Sequence, residues 1–170
     1  MPRRSSRGPG TTRPPAVGAL DAGLRLLGRR AHSRAELQRK LGRRGYEEQE
    51  VERALGRLTE LGYLDDGAFA RGHVRRRSSG RGPLALAAEL SARGVDRAVA
   101  AAAVASVDGE AQLASAIRLA ERACARRELA GYRQTLDLVG PKLLRRGFTP
   151  GVIRAACRAV WLGTAGAAQA

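Results

Sequence analysis

The chain has 170 residues, with 31 Lys and Arg against 16 Asp and Glu and a formal charge of +15 at pH 7; all its cations but Lys40 and Lys142 are arginines, so the expected partner is a polyanion or an acidic protein surface. No apolar run approaches the ~18 residues of a membrane span, and no apolar segment of ~7 residues follows the basic start as a secretion signal requires. Cys124 and Cys157 lie 33 residues apart, too far for a CxxC pair or half of a zinc site, so buried free thiols in a cytoplasmic protein are expected.

Residues 1–17 carry four arginines and no acid and are expected to form a disordered basic tail. The remaining excess is spread evenly: ten cations to seven acids over 18–62, seven to four over 63–107, and ten to five over 108–170. Most of the charge therefore rides on the part expected to fold, although a coding bias toward Arg, Ala and Gly would raise it without any function.

Valines and isoleucines fall at helical spacing throughout, never in strand alternation. The first helix is expected over 18–30 with an inward face of Leu20, Leu24 and Leu27. The second covers 33–44, with Ser33 and Glu36 as a capping box, and the third 47–62, opened by Glu47, Glu48, Glu50 and Glu52. Those acids suit a helix N-terminus and could pair onward with Arg53 and Arg57. They also argue against a DNA-reading helix, since four carboxylates would face phosphates.

A fourth helix is expected over 65–78, where Asp65 or Asp66 caps and Phe69, Ala70 and Val74 face inward. Helices over 83–93 and 96–107 follow, then 109–129 (Leu113, Ile117, Ala120 and Cys124 inward), 132–146 and 149–161, with Pro83 and Pro150 in first turns. The pattern L-x-x-R-G-apolar recurs at Leu41–Tyr46, Leu90–Val95 and Leu143–Phe148, its glycines 49 and 53 residues apart.

The flanks repeat with it. Before each glycine stand the i, i+4 pairs Leu37/Leu41, Leu86/Leu90 and Val139/Leu143. After it come Val51/Ala54/Leu55/Leu58, Ala100/Ala103/Val104/Val107 and Ile153/Ala156/Cys157/Val160 in register. Each glycine falls where a helix ends in positive φ. The fold class is therefore all-α, an elongated array of three tandem three-helix repeats at 18–62, 63–107 and 108–162, with a flexible C-terminal tail over 163–170.

No phosphate loop, HExxH or GxSxG is present, and His32 and His73 are neither paired nor spaced for a metal; no catalytic residue, metal or cofactor is expected. Tyr46, Phe148 and Phe69 read as core residues, not as stacking platforms. Arg43-Arg44, Arg126-Arg127 and Arg145-Arg146 stand near helix C-termini, where positive charge is stabilising for local reasons. The stronger candidates are Arg71, Arg75, Arg76, Arg77 and Arg81. Arg71 and Arg75 share a helix face, a guanidinium ridge suited to carboxylate or phosphate.

Leu61-Gly-Tyr-Leu-Asp-Asp66, with Phe69-Ala70 beyond it, basic residues after, and Glu89-Leu90 with Gly94-Val95, resembles the RecX family of bacterial recombination regulators. The resemblance runs over about residues 18–160, and His73 departs from it where an aromatic is common. It implies a non-enzymatic protein that binds the RecA recombinase and the RecA-DNA filament, blocking filament growth, strand exchange, ATP hydrolysis and coprotease activity in DNA repair and the SOS response; a monomer is expected. Direct contact with DNA stays open, as does a second reading, a general DNA- or RNA-binding helical protein.

Overall fold

The computed structural model describes residues 17–125, 127 and 130–167, the side chains of 164–167 excepted. Apart from Val17, the basic tail lies outside the described residues, as do Arg126 and residues 168–170. Among the described residues there are nine helices and no strand. They are α1 (Ala19–Leu27), α2 (Arg34–Gly42), α3 (Glu48–Glu60), α4 (Asp66–Arg77), α5 (Pro83–Ala92), α6 (Arg97–Ala105), α7 (Gly109–Cys124), α8 (Tyr132–Arg145) and α9 (Pro150–Ala167). The chain divides into two compact units, Met1–Asp65 and Asp66–Ala170.

In the first unit, α1, α2 and α3 pack on one another around Leu37, Leu41, Leu55 and Leu58, all fully buried. The face of α1 differs from expectation. Ala19, Ala22, Gly23 and Leu26 are its buried residues, while Leu20, Leu24 and Leu27 only flank the core. A Cβ on Gly23 would stand 2.8 Å from Leu58 Cδ1, so at this turn α1 lies too close to α3 for a larger side chain, and small residues stand there beside the buried Leu26.

Ser33 caps α2 as the sequence predicts, its Oγ accepting from the Glu36 amide at 3.1 Å. Glu47 stands at the N-cap of α3 with Glu48 and Glu50 in its first turn, where the helix dipole favours them. Their expected pairing with Arg53 and Arg57 is replaced by contacts across helices. Glu50 accepts the Ala19 amide at 3.2 Å, Glu52 binds Arg34 at 2.7 Å and Gln38 at 3.0 Å, and Arg57 turns to Glu60 at 3.1 Å. With α1 and α2 alongside α3, these acids meet partners on the neighbouring helices.

In the second unit, α4–α6 enclose Phe69, Ala70, Val74, Leu86, Leu90, Val95, Ala100 and Ala103. A separate cluster within α7–α9 contains Ala116, Ala120, Val139, Leu143, Phe148, Ala156 and Cys157. On α7 the small residues reach deepest, Ala116 and Ala120 being fully buried while Leu113 and Ile117 are only partly buried against the cluster. The three repeat glycines close their helices as predicted, Gly45, Gly94 and Gly147 at φ of 84°, 77° and 81°. The next amide then reaches back five residues at Val95 to Leu90 (3.1 Å) and Phe148 to Leu143 (3.2 Å), the bond that ends a helix in a left-handed residue.

Two helix ends differ from expectation by five residues or more. α7 stops at Cys124 instead of 129, because Ala125 adopts ψ of 126° and leaves the helix. α9 continues past 161 to Ala167, into the segment expected as a flexible tail; its alanines favour helix strongly enough to carry Gly163 and Gly166.

The feature that shapes the second unit is a backbone crossing. The Gly82 amide donates to the Arg146 carbonyl at 2.8 Å and the Leu84 amide to the Gly147 carbonyl at 3.0 Å. A Cβ on Gly82 would meet the Gly147 backbone at 2.4 Å, and one on Gly147 would meet the Ala85 amide nitrogen at 2.2 Å. Only glycine at both positions allows the loop before α5 to touch the end of α8.

Candidate functional site

The Gly82–Gly147 crossing brings the end of α4 and the loop after it beside α7 and α8, and between them lies a groove of about 1030 Å³. Arg76, Arg77 and Arg81 line it from one side, Arg122 of α7 and Lys142, Arg145 and Arg146 of α8 from the other. Half-buried Leu119 and Ala123 supply apolar lining, backed by the buried Val139 and Leu143, and no acidic residue is among the lining. Seven cations with no acid in the lining give the groove a positive potential that attracts anions.

One acid stands behind this wall. Glu89, on α5, accepts from His73 Nε2 at 2.8 Å, and Arg77 grips it with Nε at 3.3 Å and Nη2 at 3.2 Å. Arg81 Nε lies 3.2 Å from the same Oε1. Burial pulls the Glu89 carboxyl upward, but the hydrogen bonds from Arg77 and His73 and the charge of Arg77 outweigh it, and the group sits below its ordinary 4.5. The buried His73 stacks on Phe69, ring centroids 6.5 Å apart. The position that departs from the family's aromatic thus still packs as a ring while anchoring Glu89.

Of the five arginines singled out in the sequence, Arg76, Arg77 and Arg81 come together in the groove. Arg71 and Arg75 are exposed on α4 and do not line it. Sequence reasoning passed over Arg122 and Lys142 and treated Arg145 and Arg146 as helix-end charge. Lys142, Arg145 and Arg146 do share a face of α8 by i, i+3 and i+4 spacing, a signal open to the sequence. Arg146 also fixes the wall, its Nη1 donating to the Gly80 carbonyl at 3.1 Å.

Cys124 and Cys157 are free and buried; burial, and then the charge of Cys124, pushes the Cys157 thiol up to about 11. No group of His, Cys, Asp and Glu among the described residues could hold a metal ion. No helix among them is long and apolar enough to cross a membrane. Phe148, Phe69 and Tyr46 are core residues, and the Tyr46 hydroxyl donates to the Val17 carbonyl at 2.6 Å.

Fold and groove together define an all-helical repeat protein with a cation-lined groove. Residues 19–58 match the pattern described as "RecX, first three-helix domain", and residues 65–104 "RecX, second three-helix domain". The "Regulatory protein RecX" of Stenotrophomonas maltophilia (strain K279a) is 40% identical over 149 residues, spanning 86% of this chain and 89% of that protein. Its namesake from Mycolicibacterium smegmatis is 42% identical over 132 residues, 74% of this chain and 70% of the relative. The crystal structure of RecX from Lactobacillus salivarius superposes with a TM-score of 0.79 at 24% identity, over 85% of this chain and 95% of that one. The chain belongs to the RecX family, and both of these relatives are named as regulatory proteins.

Proposed function

We propose that the protein regulates a RecA recombinase in the cytoplasm, binding RecA and its nucleoprotein filament as a monomer. Occupying the filament, it inhibits ATP hydrolysis, strand exchange and coprotease activity, and so tempers DNA repair and the SOS response. The observation that carries this reading is the family match over 86% of the chain. The acid-free groove supports it by supplying a surface suited to the phosphates or acidic side chains of such a filament.

The surface extends from the groove arginines Arg76, Arg77 and Arg81 to the exposed ridge of Arg71 and Arg75 on α4. The protein itself performs no chemistry, and its effect is that of a ligand that favours some filament states over others.

RecA ATP hydrolysis on single-stranded DNA, followed with increasing purified protein, tests the reading: hydrolysis and strand exchange slow, and unchanged rates would refute it. Reversing Arg75, Arg76 and Arg77 together to Glu raises the half-inhibiting concentration by at least about tenfold, since each charged contact is worth ~1.5–3 kcal/mol. Full inhibition by that variant would remove these arginines from the interface.

A further inference from the structure

The arrangement of Glu89 is unexpected for a polyanion site. A carboxylate next to two groove cations lowers the local positive potential, and by charge alone its removal would strengthen binding. Its geometry points the other way. Glu89 does not line the groove. It engages Arg77 through Nε and Nη2 and Arg81 through Nε, leaving Nη1 of Arg77 and both Nη groups of Arg81 uncommitted to it. The buried His73 holds the same carboxylate through Nε2.

A free arginine loses much side-chain freedom when it docks an anion. Here that freedom is already restricted before any ligand arrives. Both guanidinium groups stand at the groove wall with donors to spare, and a planar fork held in place can take two oxygens of one phosphate.

We infer that Glu89 is a positioning residue that strengthens the binding of a single nucleic-acid strand in the groove, by holding Arg77 and Arg81 ready for its phosphates. The inference rests on the proposed role of the groove as the working surface. A nucleic-acid strand fits better than an acidic peptide because of the lining. Leu119 and Ala123, the half-buried apolar residues of the lining, have no side-chain hydrogen-bonding groups, so a peptide laid over them would bury amide groups unmatched. Sugar and base faces carry no such obligation.

The test measures fluorescence anisotropy of a labelled oligothymidylate on the full chain with no RecA present. Wild-type protein binds with a steep salt dependence. Replacing Arg122, Lys142 and Arg145 together with Ala lowers the magnitude of the log–log salt slope by about 2, at ~0.7 for each phosphate no longer neutralised. The same removal of three charges at Arg39, Arg43 and Arg44 of the first unit leaves affinity nearly unchanged; equal effects of the two triples would overturn the site.

Glu89→Gln, which adds +1 to the net charge, weakens strand binding on the order of tenfold. Unchanged or tighter binding by that variant would sink the positioning role. Circular dichroism checks that the variant stays folded. Arg77→Lys with Arg81→Lys gives a second measure, since it keeps the charge, removes the Nε anchor and should also weaken binding; wild-type affinity in this pair would likewise overturn the inference. Inorganic polyphosphate displaces the oligonucleotide well, and polyglutamate of equal charge at least about tenfold less well; equal displacement would identify an acidic peptide as the ligand class instead. All these outcomes are read without RecA, so their failure leaves the ATPase test of the regulator untouched.

Discussion

Residues 18–65 carry ten cations to eight acids and residues 66–170 seventeen to eight, and the two units use their cations in different ways. In the first unit Arg30, Arg34 and Arg57 are each met by a glutamate, Glu36, Glu52 and Glu60, at 2.7–3.1 Å. Glu50 is committed to the first amide of α1. In the second unit seven cations converge on one groove, and the acid nearest them stands behind the wall as a brace. Net charge gives the strength of a protein's far field. Whether that field becomes a site depends on how the cations are paired and where the fold collects them.

The largest expected stability difference between the units lies in their glycines. Gly147→Ala places a Cβ 2.2 Å from the Ala85 amide nitrogen at a φ of 81°, so strain and overpacking add to about 3 kcal/mol or more. Gly62→Ala in the first unit meets nothing within 4 Å and is penalised only for its φ of 73°, by about 1 kcal/mol. Urea midpoints of the two variants measure the contrast, and equal shifts would mean that the Gly82–Gly147 crossing does not hold the second unit together.

Ser33→Ala removes the cap of α2 and should cost about 1 kcal/mol. Hydrogen exchange should show the weakening at Leu37 and Leu41 of the first unit and not at Leu86 and Leu90 of the second. Faster exchange in both helices would show that the two units unfold as one.

The units also differ in their response to acid. Burial holds the His32 imidazole below its usual 6.5, opposed by its hydrogen bond to the Arg30 carbonyl and reinforced by the charges of Arg30 and Lys40. Nδ1 donates to that carbonyl at 2.8 Å, and the buried Nε2 has no partner among the described residues. The unfolded chain therefore binds a proton more readily than the folded one. The first unit keeps its full stability above pH 6.5 and loses part of it as the pH falls from 6.5 toward the lower folded-state value.

Glu89 behaves differently. Its carboxyl is lowered from 4.5 in the folded chain, so its contribution is present above 4.5 and is lost as the pH falls through the folded-state value. Trp161, the single tryptophan, reports the second unit, and exchange at Leu37 the first. The first unit should weaken at the higher pH, and the reverse order would contradict the two assignments.

The sequence by itself determined what depends on a few neighbouring residues. Helix periodicity, the Ser33 cap, the first-turn prolines Pro83 and Pro150 and the glycines Gly45, Gly94 and Gly147 are local matters of side-chain spacing and allowed φ, and they were readable directly. The family was legible for the same reason, because its motif lies within a continuous stretch around Leu61–Ala70. What a helix packs against is not local. Ala19, Ala22 and Gly23, with Leu26, form the buried face of α1 in place of Leu20, Leu24 and Leu27, since the approach of Gly23 to Leu58 joins positions 35 residues apart.

The candidate site was half legible. Arg76, Arg77 and Arg81 stood out as a run, and Lys142, Arg145 and Arg146 could have been grouped by their spacing on α8. That these two sets face one groove, with Arg122 joining them and Glu89 bracing one wall, was decided by the tertiary structure alone. The backbone contact of Gly82 with Gly147 spans 65 residues, and no periodicity within either segment encodes where the other will lie.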